Sequence, residues 1–189
     1  MLTLRVLPNV LTVARMLLVA PLLVLLVREE FLLALLLALA LGLSDGLDGA
    51  LARRFRWQTR LGGILDPLAD KLLLVGVFAT LSWLGHIPPW LLARIVLRDL
   101  VIVAGAAVYH YRIETLQPEP TRLSKLNTVC QLLLMWAVLT ALAGLAVPPV
   151  VLDALVWIVS ATVLGSLVQY VAVWSLRARA VVRRRVDGR

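Results

Sequence analysis

Long apolar stretches, separated by short charged or turn-forming segments, are the feature that most constrains this chain. A helix needs about 20 apolar residues to cross a bilayer, and six spans can be drawn on that basis. They cover about 9–27, 31 onward, 62–84, 90–109, 124–145 and 151–176. The sequence is 61% hydrophobic with a mean hydropathy of +0.94, which is too apolar for a soluble domain. We therefore predict an all-α integral membrane protein with six transmembrane helices, forming a single domain over residues 1–189.

The distribution of basic residues orients these helices. Lysine and arginine are absent from the turns at 85–89 and 146–152, but they accumulate in the segments 53–60 and 112–122 and in the tail 177–189. Because basic residues collect on the cytoplasmic side of membrane proteins, both termini are predicted to be cytoplasmic. The same rule explains the net charge of +8, so no nucleic-acid partner is predicted.

Features near the N-terminus and the cysteine content bear on location. The first apolar stretch has Pro8 in a position suited to the first turn of its helix, and it lacks a small-residue cleavage site. We therefore expect no signal peptide and a bacterial cytoplasmic membrane location. The single cysteine, Cys130, excludes an intramolecular disulfide and is expected to be a buried structural thiol.

The segment 44–71, SDGLDGALARRFRWQTRLGGILDPLADK, breaks the apolar pattern with four aspartates. They are Asp45, Asp48, Asp66 and Asp70. The first two are three residues apart and the last two four apart, so each pair shares a helix face. The apolar part of span two is too short to cross a bilayer, so its helix is predicted to continue to about residue 53. A hairpin would then gather the four carboxylates in a polar cleft at the cytoplasmic end.

Carboxylates so placed predict bound cations. Each acidic side chain at membrane depth costs about 2.5–3.5 kcal/mol, and four together repel one another. Hard oxygen ligands on rigid helices favour Mg²⁺ or Mn²⁺, and two ions are expected. Gly49 and Ala52 continue the same helix face and leave a wall without bulk, against which a flat nucleotide could lie. Two metals could then orient a leaving group and stabilise charge on a transferring phosphoryl group.

The spacing of these residues carries a family resemblance. Asp45-x2-Asp48-Gly49-x2-Ala52-Arg53-x8-Gly62-x3-Asp66-x3-Asp70 matches the CDP-alcohol phosphotransferase signature at every defined position. The sequences PNVLTVARM, GGILDPLADKLLL, LRDLVIV and LSKLNTVCQL also resemble phosphatidylglycerophosphate synthases and CMP-forming cardiolipin synthases, so the resemblance covers most of the chain. It implies transfer of a phosphatidyl group from CDP-diacylglycerol to an alcohol hydroxyl, with release of CMP.

The resemblance also implies roles by position. The metal ligands would be Asp45, Asp48, Asp66 and Asp70, with Asp70 at the second metal or acting as the base toward the acceptor hydroxyl. The CDP moiety would be contacted by Gly49, Ala52 and Arg53, and Gly62 would keep its approach open. A homodimer is also implied by the family.

Basic residues are candidates for binding an acceptor phosphate. They are Arg15, Lys125, Arg112 and Arg122. Arg15 lies inside span one and Lys125 opens span five, and intramembrane cations usually face a polar cavity. The alternatives are that Arg15 snorkels to the interface and that Lys125 only anchors the positive side of the membrane. Arg94, Arg98 and Asp99 in span four are expected to form a buried polar network that fixes helix packing.

The acceptor is left open between two alcohols. The sequences LRDLVIVAGAAVYHYR and LSKLNTVCQL favour phosphatidylglycerol, the acceptor of a cardiolipin synthase; glycerol 3-phosphate, which gives phosphatidylglycerophosphate, is the alternative. A different class of protein, a small ion or proton transporter, could also use intramembrane carboxylates. A transporter would not need Gly49 and Ala52 beside an arginine at this spacing, so phosphatidyl transfer is the preferred hypothesis.

Overall fold

The computed structural model describes the backbone of residues 3–55, 62–112 and 121–187, and the side chains of 12–44, 68–105 and 121–175. The described residues form six α-helices and no strand. They are α1 (Thr3–Val27), α2 (Phe31–Phe55), α3 (Gly62–Trp83), α4 (Pro89–Arg112), α5 (Arg122–Leu142) and α6 (Pro149–Asp187). The prediction of six helices in an all-α fold is confirmed.

The helix bounds confirm the predicted extension of α2 and correct the predicted start of α1 and the predicted end of α6. Helix α2 continues through the first aspartate pair to Phe55, as the length of its apolar part requires. Helix α1 begins at Thr3, so Pro8 lies inside it and not in its first turn. Helix α6 runs past the apolar span to Asp187. The sequence from 176 to 187 lacks glycine and proline and contains five arginines and two alanines, which are strong helix formers.

Three turns share one hydrogen-bonding pattern. They follow α1, α3 and α5, and in each a left-handed residue ends the helix: Glu29 (φ 59°), Gly85 (φ 82°) and Gly144 (φ 84°). The left-handed residue donates its N–H to the carbonyl three residues earlier, and the next residue donates to the carbonyl five earlier, at 2.8–3.2 Å. This is the Schellman motif, which normally places glycine at the left-handed position. Glu29 fills that position despite the cost of a side chain there.

The chain forms two compact units. The first comprises residues 1–88 and 135–148, and the second comprises 89–134 and 149–189. In the first unit α1 packs against both α2 and α3. Its buried core is apolar and includes Leu22, Leu26, Ala34, Phe78 and Leu81.

Small residues allow close helix contacts in the first unit. Ala34 and Ala38 are buried, and a Cβ added at Gly42 would lie 3.2 Å from the Trp136 ring. On α3, a Cβ at Gly76 would lie 3.3 Å from Leu23 Cδ1 of α1. These positions therefore serve packing, because a larger side chain would push the neighbour away.

In the second unit α4 packs against α6. Leu91, Ile95, Val159 and Val163 are fully or almost fully buried there. Farther along α4, Gly105 lies directly under the Trp174 ring, so that a Cβ would overlap two ring carbons. The Trp174 ring of α6 therefore fits against α4 only because position 105 has no side chain.

Among the described residues, two helices are long and apolar enough to cross a membrane. They are α5 (Arg122–Leu142) and the part of α6 from Pro149 to Ser175. Shorter apolar helical stretches cover Thr12–Val27 and Phe31–Ser44. Large apolar side chains also face outward, among them Leu17 at 70% and Val168 at 68% exposure. Extended outward-facing apolar surface of this kind is typical of contact with lipid.

Candidate functional site

The four aspartates lie on two helices of the first unit. Asp45 and Asp48 are on α2, and Asp66 and Asp70 are on α3. Their spacing on continuous helices places each pair on one helix face, as predicted. The side chains of the first three lie outside the described residues, as do those of Gly49, Ala52, Arg53 and Gly62. Their convergence therefore stays a prediction, while Asp70 can be placed directly.

Asp70 forms an ion pair with Arg15. The Arg15 Nη1 and Asp70 Oδ1 atoms are 3.6 Å apart, which joins α1 to α3. Arg15 is buried, with 3% of its side chain exposed, whereas 49% of the Asp70 side chain is exposed. A buried guanidinium is costly unless an anion compensates it, so this contact places the last aspartate of the motif beside a fixed positive charge.

The surroundings of this pair explain why it is held in place. Thr12, one turn before Arg15 on α1, is 3% exposed, and Ala69, next to Asp70, is fully buried. Farther along α3, Gly76 lets α1 approach closely. Sequence reasoning identified Arg15 and Asp70 separately and missed both their pairing and the role of Gly76. The separation of 55 residues between the two charged residues gives no local signal for the contact.

The other candidate acceptor cations lie in the second unit. Arg122 and Lys125 are exposed and three residues apart in the first turn of α5, which contains no acidic residue. Thr121 caps this turn, since its Oγ1 accepts a hydrogen bond of 3.2 Å from the Ser124 amide. Arg112 ends α4, and its side chain lies outside the described residues. Two cations at a helix N-terminus give this end of α5 a positive potential.

Arg98 is the centre of a buried polar network in the second unit. Its guanidinium donates to Asp99 Oδ1 at 2.7 Å, to Ser124 Oγ at 2.6 Å, and to Ser166 Oγ at 2.8 Å through Nη2 and 3.2 Å through Nε. These bonds tie α4 to α5 and α6. The prediction of a buried packing network is confirmed for Arg98 and Asp99, because Arg98 is 6% exposed and bonds to side chains of three helices. Arg94 was expected in the same network, but its described hydrogen bond goes to Ser160, which is outside it.

A second polar contact joins α5 and α6. Thr162 donates to Asn127 Oδ1 at 3.1 Å, and Asn127 is 1% exposed. Gln131, one turn farther along α5, is also buried. Such interhelical bonds between polar side chains hold helices together where no water is available to replace them. Sequence reasoning did not single out Asn127, whose signal is an isolated amide in an apolar helix.

The chemistry of the aspartate motif fits a hard divalent cation. Its donors are carboxylate oxygens, the type that Mg²⁺ and Mn²⁺ prefer. Asp70 presents a half-exposed carboxylate, which a cation could reach. Among the residues whose side chains are described, no three His, Cys, Asp or Glu side chains lie close enough to hold a metal, since only Asp70 of the four motif aspartates is in that set.

The six described helices, with two aspartate pairs on successive helices, define an all-α protein with a candidate carboxylate site. The chain belongs to the CDP-alcohol phosphatidyltransferase family, whose model matches residues 5–174. The resemblance drawn from the aspartate motif is thereby confirmed.

Curated relatives fall into the two groups that the motif resembled. Human cardiolipin synthase (CMP-forming) is 35% identical over 150 residues, covering 71% of this chain and 50% of the relative. The probable cardiolipin synthase (CMP-forming) of Drosophila melanogaster is 35% identical over 141 residues, covering 66% and 44%. The CDP-diacylglycerol–glycerol-3-phosphate 3-phosphatidyltransferase of Aquifex aeolicus is 35% identical over 126 residues, covering 65% and 68%. The chain spans about half the length of the human and fly relatives.

Proposed function

We propose that this protein transfers the phosphatidyl group of CDP-diacylglycerol to an alcohol hydroxyl and releases CMP. The observation that carries the proposal is the half-exposed Asp70, the last residue of a complete family motif, held against the buried Arg15. Membership of the CDP-alcohol phosphatidyltransferase family and the names of the relatives support it. The ion pair anchors the carboxylate that ends the motif.

In this proposal Asp45, Asp48, Asp66 and Asp70 hold two Mg²⁺ or Mn²⁺ ions. Divalent-metal dependence is general in the family. When bound, the ions supply positive charge to the transferring phosphoryl group and to the departing phosphate of CMP. Gly49, Ala52 and Gly62 leave room for the CDP moiety, and Arg53 contacts its phosphate.

Asp70 acts as the base. Its carboxylate accepts the proton of the acceptor hydroxyl, and the hydroxyl oxygen forms a bond to the phosphorus that carries the diacylglycerol. The bond from that phosphorus to the oxygen of CMP breaks, and CMP leaves with the electron pair. The proton on Asp70 then passes to water. Arg15 keeps the carboxylate in position during these steps. Its own side chain is buried, so its guanidinium has little freedom to move into the solvent.

Phosphatidylglycerol is the favoured acceptor, and the product is then cardiolipin. The human and fly relatives named as cardiolipin synthases support this choice. Glycerol 3-phosphate is the second candidate, supported by the Aquifex relative, of which the match covers 68%. In either case the candidates for binding the acceptor phosphate are Arg15 in the first unit and, separately, Lys125, Arg112 and Arg122 in the second. A phosphomonoester carries more charge than a phosphodiester, so it would depend on more of these cations.

The proposed setting is a bacterial cytoplasmic membrane. All six helices span it, both termini and the aspartate motif face the cytoplasm, and two copies of the chain form a homodimer. The two apolar helices and the outward-facing apolar side chains support membrane insertion. The arginine-rich end of α6 supports the orientation, because basic residues collect on the cytoplasmic side.

The test is a transfer assay with the purified protein. CDP-diacylglycerol is supplied with phosphatidylglycerol or with glycerol 3-phosphate, in the presence of Mg²⁺ or Mn²⁺, and CMP and the lipid product are measured by mass spectrometry. We expect CMP release that depends on the acceptor and is lost in Asp70→Asn. Asp153→Asn is the matched control, because Asp153 is an exposed aspartate outside the motif.

Two outcomes would count against the proposal. Absence of CMP release with either acceptor would refute the proposed enzymatic function. The hypothesis of an ion or proton transporter would then be preferred. Product from glycerol 3-phosphate alone would keep phosphatidyl transfer and replace the favoured acceptor.

A further inference from the structure

The start of α4 and the facing side of α6 form a surface of one arginine and two tryptophans, here named the Trp–Arg surface: Trp90, Arg94 and Trp157. The two indole rings are in contact, with centroids 5.5 Å apart and an interplanar angle of 34°. The guanidinium carbon of Arg94 lies 4.7 Å from the centroid of the Trp90 ring. Its Nη1 also donates to Ser160 Oγ on α6 at 2.5 Å. None of these residues belongs to the site proposed for phosphatidyl transfer.

Arg94 lacks a negative partner within the described part of the chain. A guanidinium has five N–H donors, and its described contacts are one hydroxyl and one aromatic face. Asp153, one turn before Trp157 on α6, is exposed and forms no described ion pair with Arg94. Arg98, one turn farther along α4, is different, because its guanidinium donates to the Asp99 carboxylate and to two serine hydroxyls. The two arginines therefore have different electrostatic needs on the same helix.

The surroundings indicate what kind of anion would meet Arg94. Trp157, whose ring contacts Trp90, is 65% exposed, so apolar ring surface faces outward near the guanidinium. Tryptophan is enriched where the hydrocarbon of a bilayer meets its headgroups, with its ring in the apolar part. We therefore expect a cation next to two such rings to lie at the level of the lipid phosphates. The planar guanidinium also matches the geometry of a phosphate better than an ammonium would.

We propose that the Trp–Arg surface binds the headgroup of an anionic phospholipid. Arg94 donates to its phosphate oxygens, and the exposed face of Trp157 lies against the glycerol backbone and the first part of an acyl chain. Ser160 and the Trp90 ring hold the guanidinium in the orientation that the phosphate meets. This lipid is a bound partner of the second unit and is not consumed in the reaction.

Native mass spectrometry of the protein in detergent tests the proposal. The probe is phosphatidylserine, which is neither donor nor acceptor in the proposed reaction. The comparison is phosphatidylcholine with the same acyl chains, which is zwitterionic and has no net charge. We expect the wild-type protein to retain phosphatidylserine in preference to phosphatidylcholine. Arg94→Gln should reduce phosphatidylserine retention about fivefold, the effect of one basic residue near a lipid surface. Arg28→Gln is the matched control, because Arg28 is an exposed arginine without a described aromatic neighbour.

Further variants separate the contributions of charge and stacking. Arg94→Lys should retain part of the preference, since it keeps the charge and loses the planar fork. Trp157→Leu should weaken retention of both lipids while Arg94 remains. Far-UV circular dichroism and CMP release report whether each variant is folded. CMP release is suitable because Arg94 and Trp157 lie outside the proposed transfer site.

Three results would overturn the inference. The first is equal retention of phosphatidylserine by wild-type protein and folded Arg94→Gln. The second is an equal affinity of the wild-type protein for phosphatidylserine and phosphatidylcholine, which also decides the question if the variant does not fold. The third is displacement of the lipid by millimolar inorganic phosphate, which would show a site for free phosphate and not for a lipid headgroup.

Discussion

Replacing Asp70 with asparagine should impair both the activity and the stability of this protein. At 3.6 Å and an effective dielectric constant of about 20, two unit charges attract each other by about 4–5 kcal/mol. Half of the Asp70 side chain is exposed, so solvent screens much of this attraction. We expect a coupling of about 1–2 kcal/mol between Arg15 and Asp70, below the 3–5 kcal/mol typical of breaking a fully buried pair.

The assay is a double-mutant cycle with Arg15→Met, Asp70→Asn and the double variant. The free energy of unfolding is measured in detergent by denaturant titration, with tryptophan fluorescence as the signal. Asp70→Asn should destabilise the protein by about 1–2 kcal/mol, because the buried Arg15 loses this ionic partner. The same asparagine should cost less in the Arg15→Met background, where the buried charge has been removed. Arg28→Met controls for loss of an exposed arginine.

Activity separates positioning from packing in the same variants. Arg15→Met should lower kcat for CMP release, because Asp70 loses the charge that fixes its carboxylate, and Arg15→Lys should restore part of it. Additive stability effects, within about 0.5 kcal/mol, would refute the ion pair as an energetic unit. Full activity of Arg15→Met would refute the positioning role even if the stability coupling were present.

Three further predictions concern the backbone, helix packing and the metal. Glu29→Gly should raise the free energy of unfolding by about 0.5–1 kcal/mol in the same titration, because glycine accepts the left-handed conformation without strain; no gain would contradict the assignment of strain to this turn. Gly105→Ala should lower the free energy of unfolding by about 1–3 kcal/mol, because the new Cβ overlaps the Trp174 ring. A second change, Trp174→Leu, should recover part of this loss. Gly165→Ala is its control, since the nearest atom there is the end of the flexible Leu123 side chain, and an equal loss would refute the overlap as the cause. Removing divalent ions with a chelator should abolish CMP release, and adding Mg²⁺ or Mn²⁺ should restore it; release unaffected by the chelator would contradict the metal role of the four aspartates.

The number of helices could be predicted because apolar length and membrane thickness limit the choices. The same argument predicted that α2 continues past its apolar part, and it does, to Phe55. It failed at both chain ends, where helix propensity governs and the membrane does not: α1 begins at Thr3 and α6 ends at Asp187. The turn at Glu29 was also missed, since a glutamate gives no sign of a left-handed conformation.

The candidate site could be predicted in its chemistry but only partly in its geometry. Spacing on helices identified the aspartate pairs, since residues three or four apart share a face. The Arg15–Asp70 contact depends on how α1 packs against α3, which no local pattern encodes. The difference between Arg94 and Arg98 was only partly visible in the sequence. Asp99 adjoins Arg98, but the serines that bond to each arginine are brought there by the packing of α5 and α6 against α4.

The length of α6 has a consequence for work with the whole protein. Its 39 residues extend about 58 Å, nearly twice the thickness of a bilayer's hydrocarbon core. If the apolar part up to Ser175 spans the membrane, the last 12 residues of the helix add about 18 Å of stiff spacer beyond it. A fluorescent reporter or affinity tag joined to the C-terminus would be carried clear of the lipid by this spacer, and deletions of successive helical turns would bring it closer in steps of about 5.4 Å.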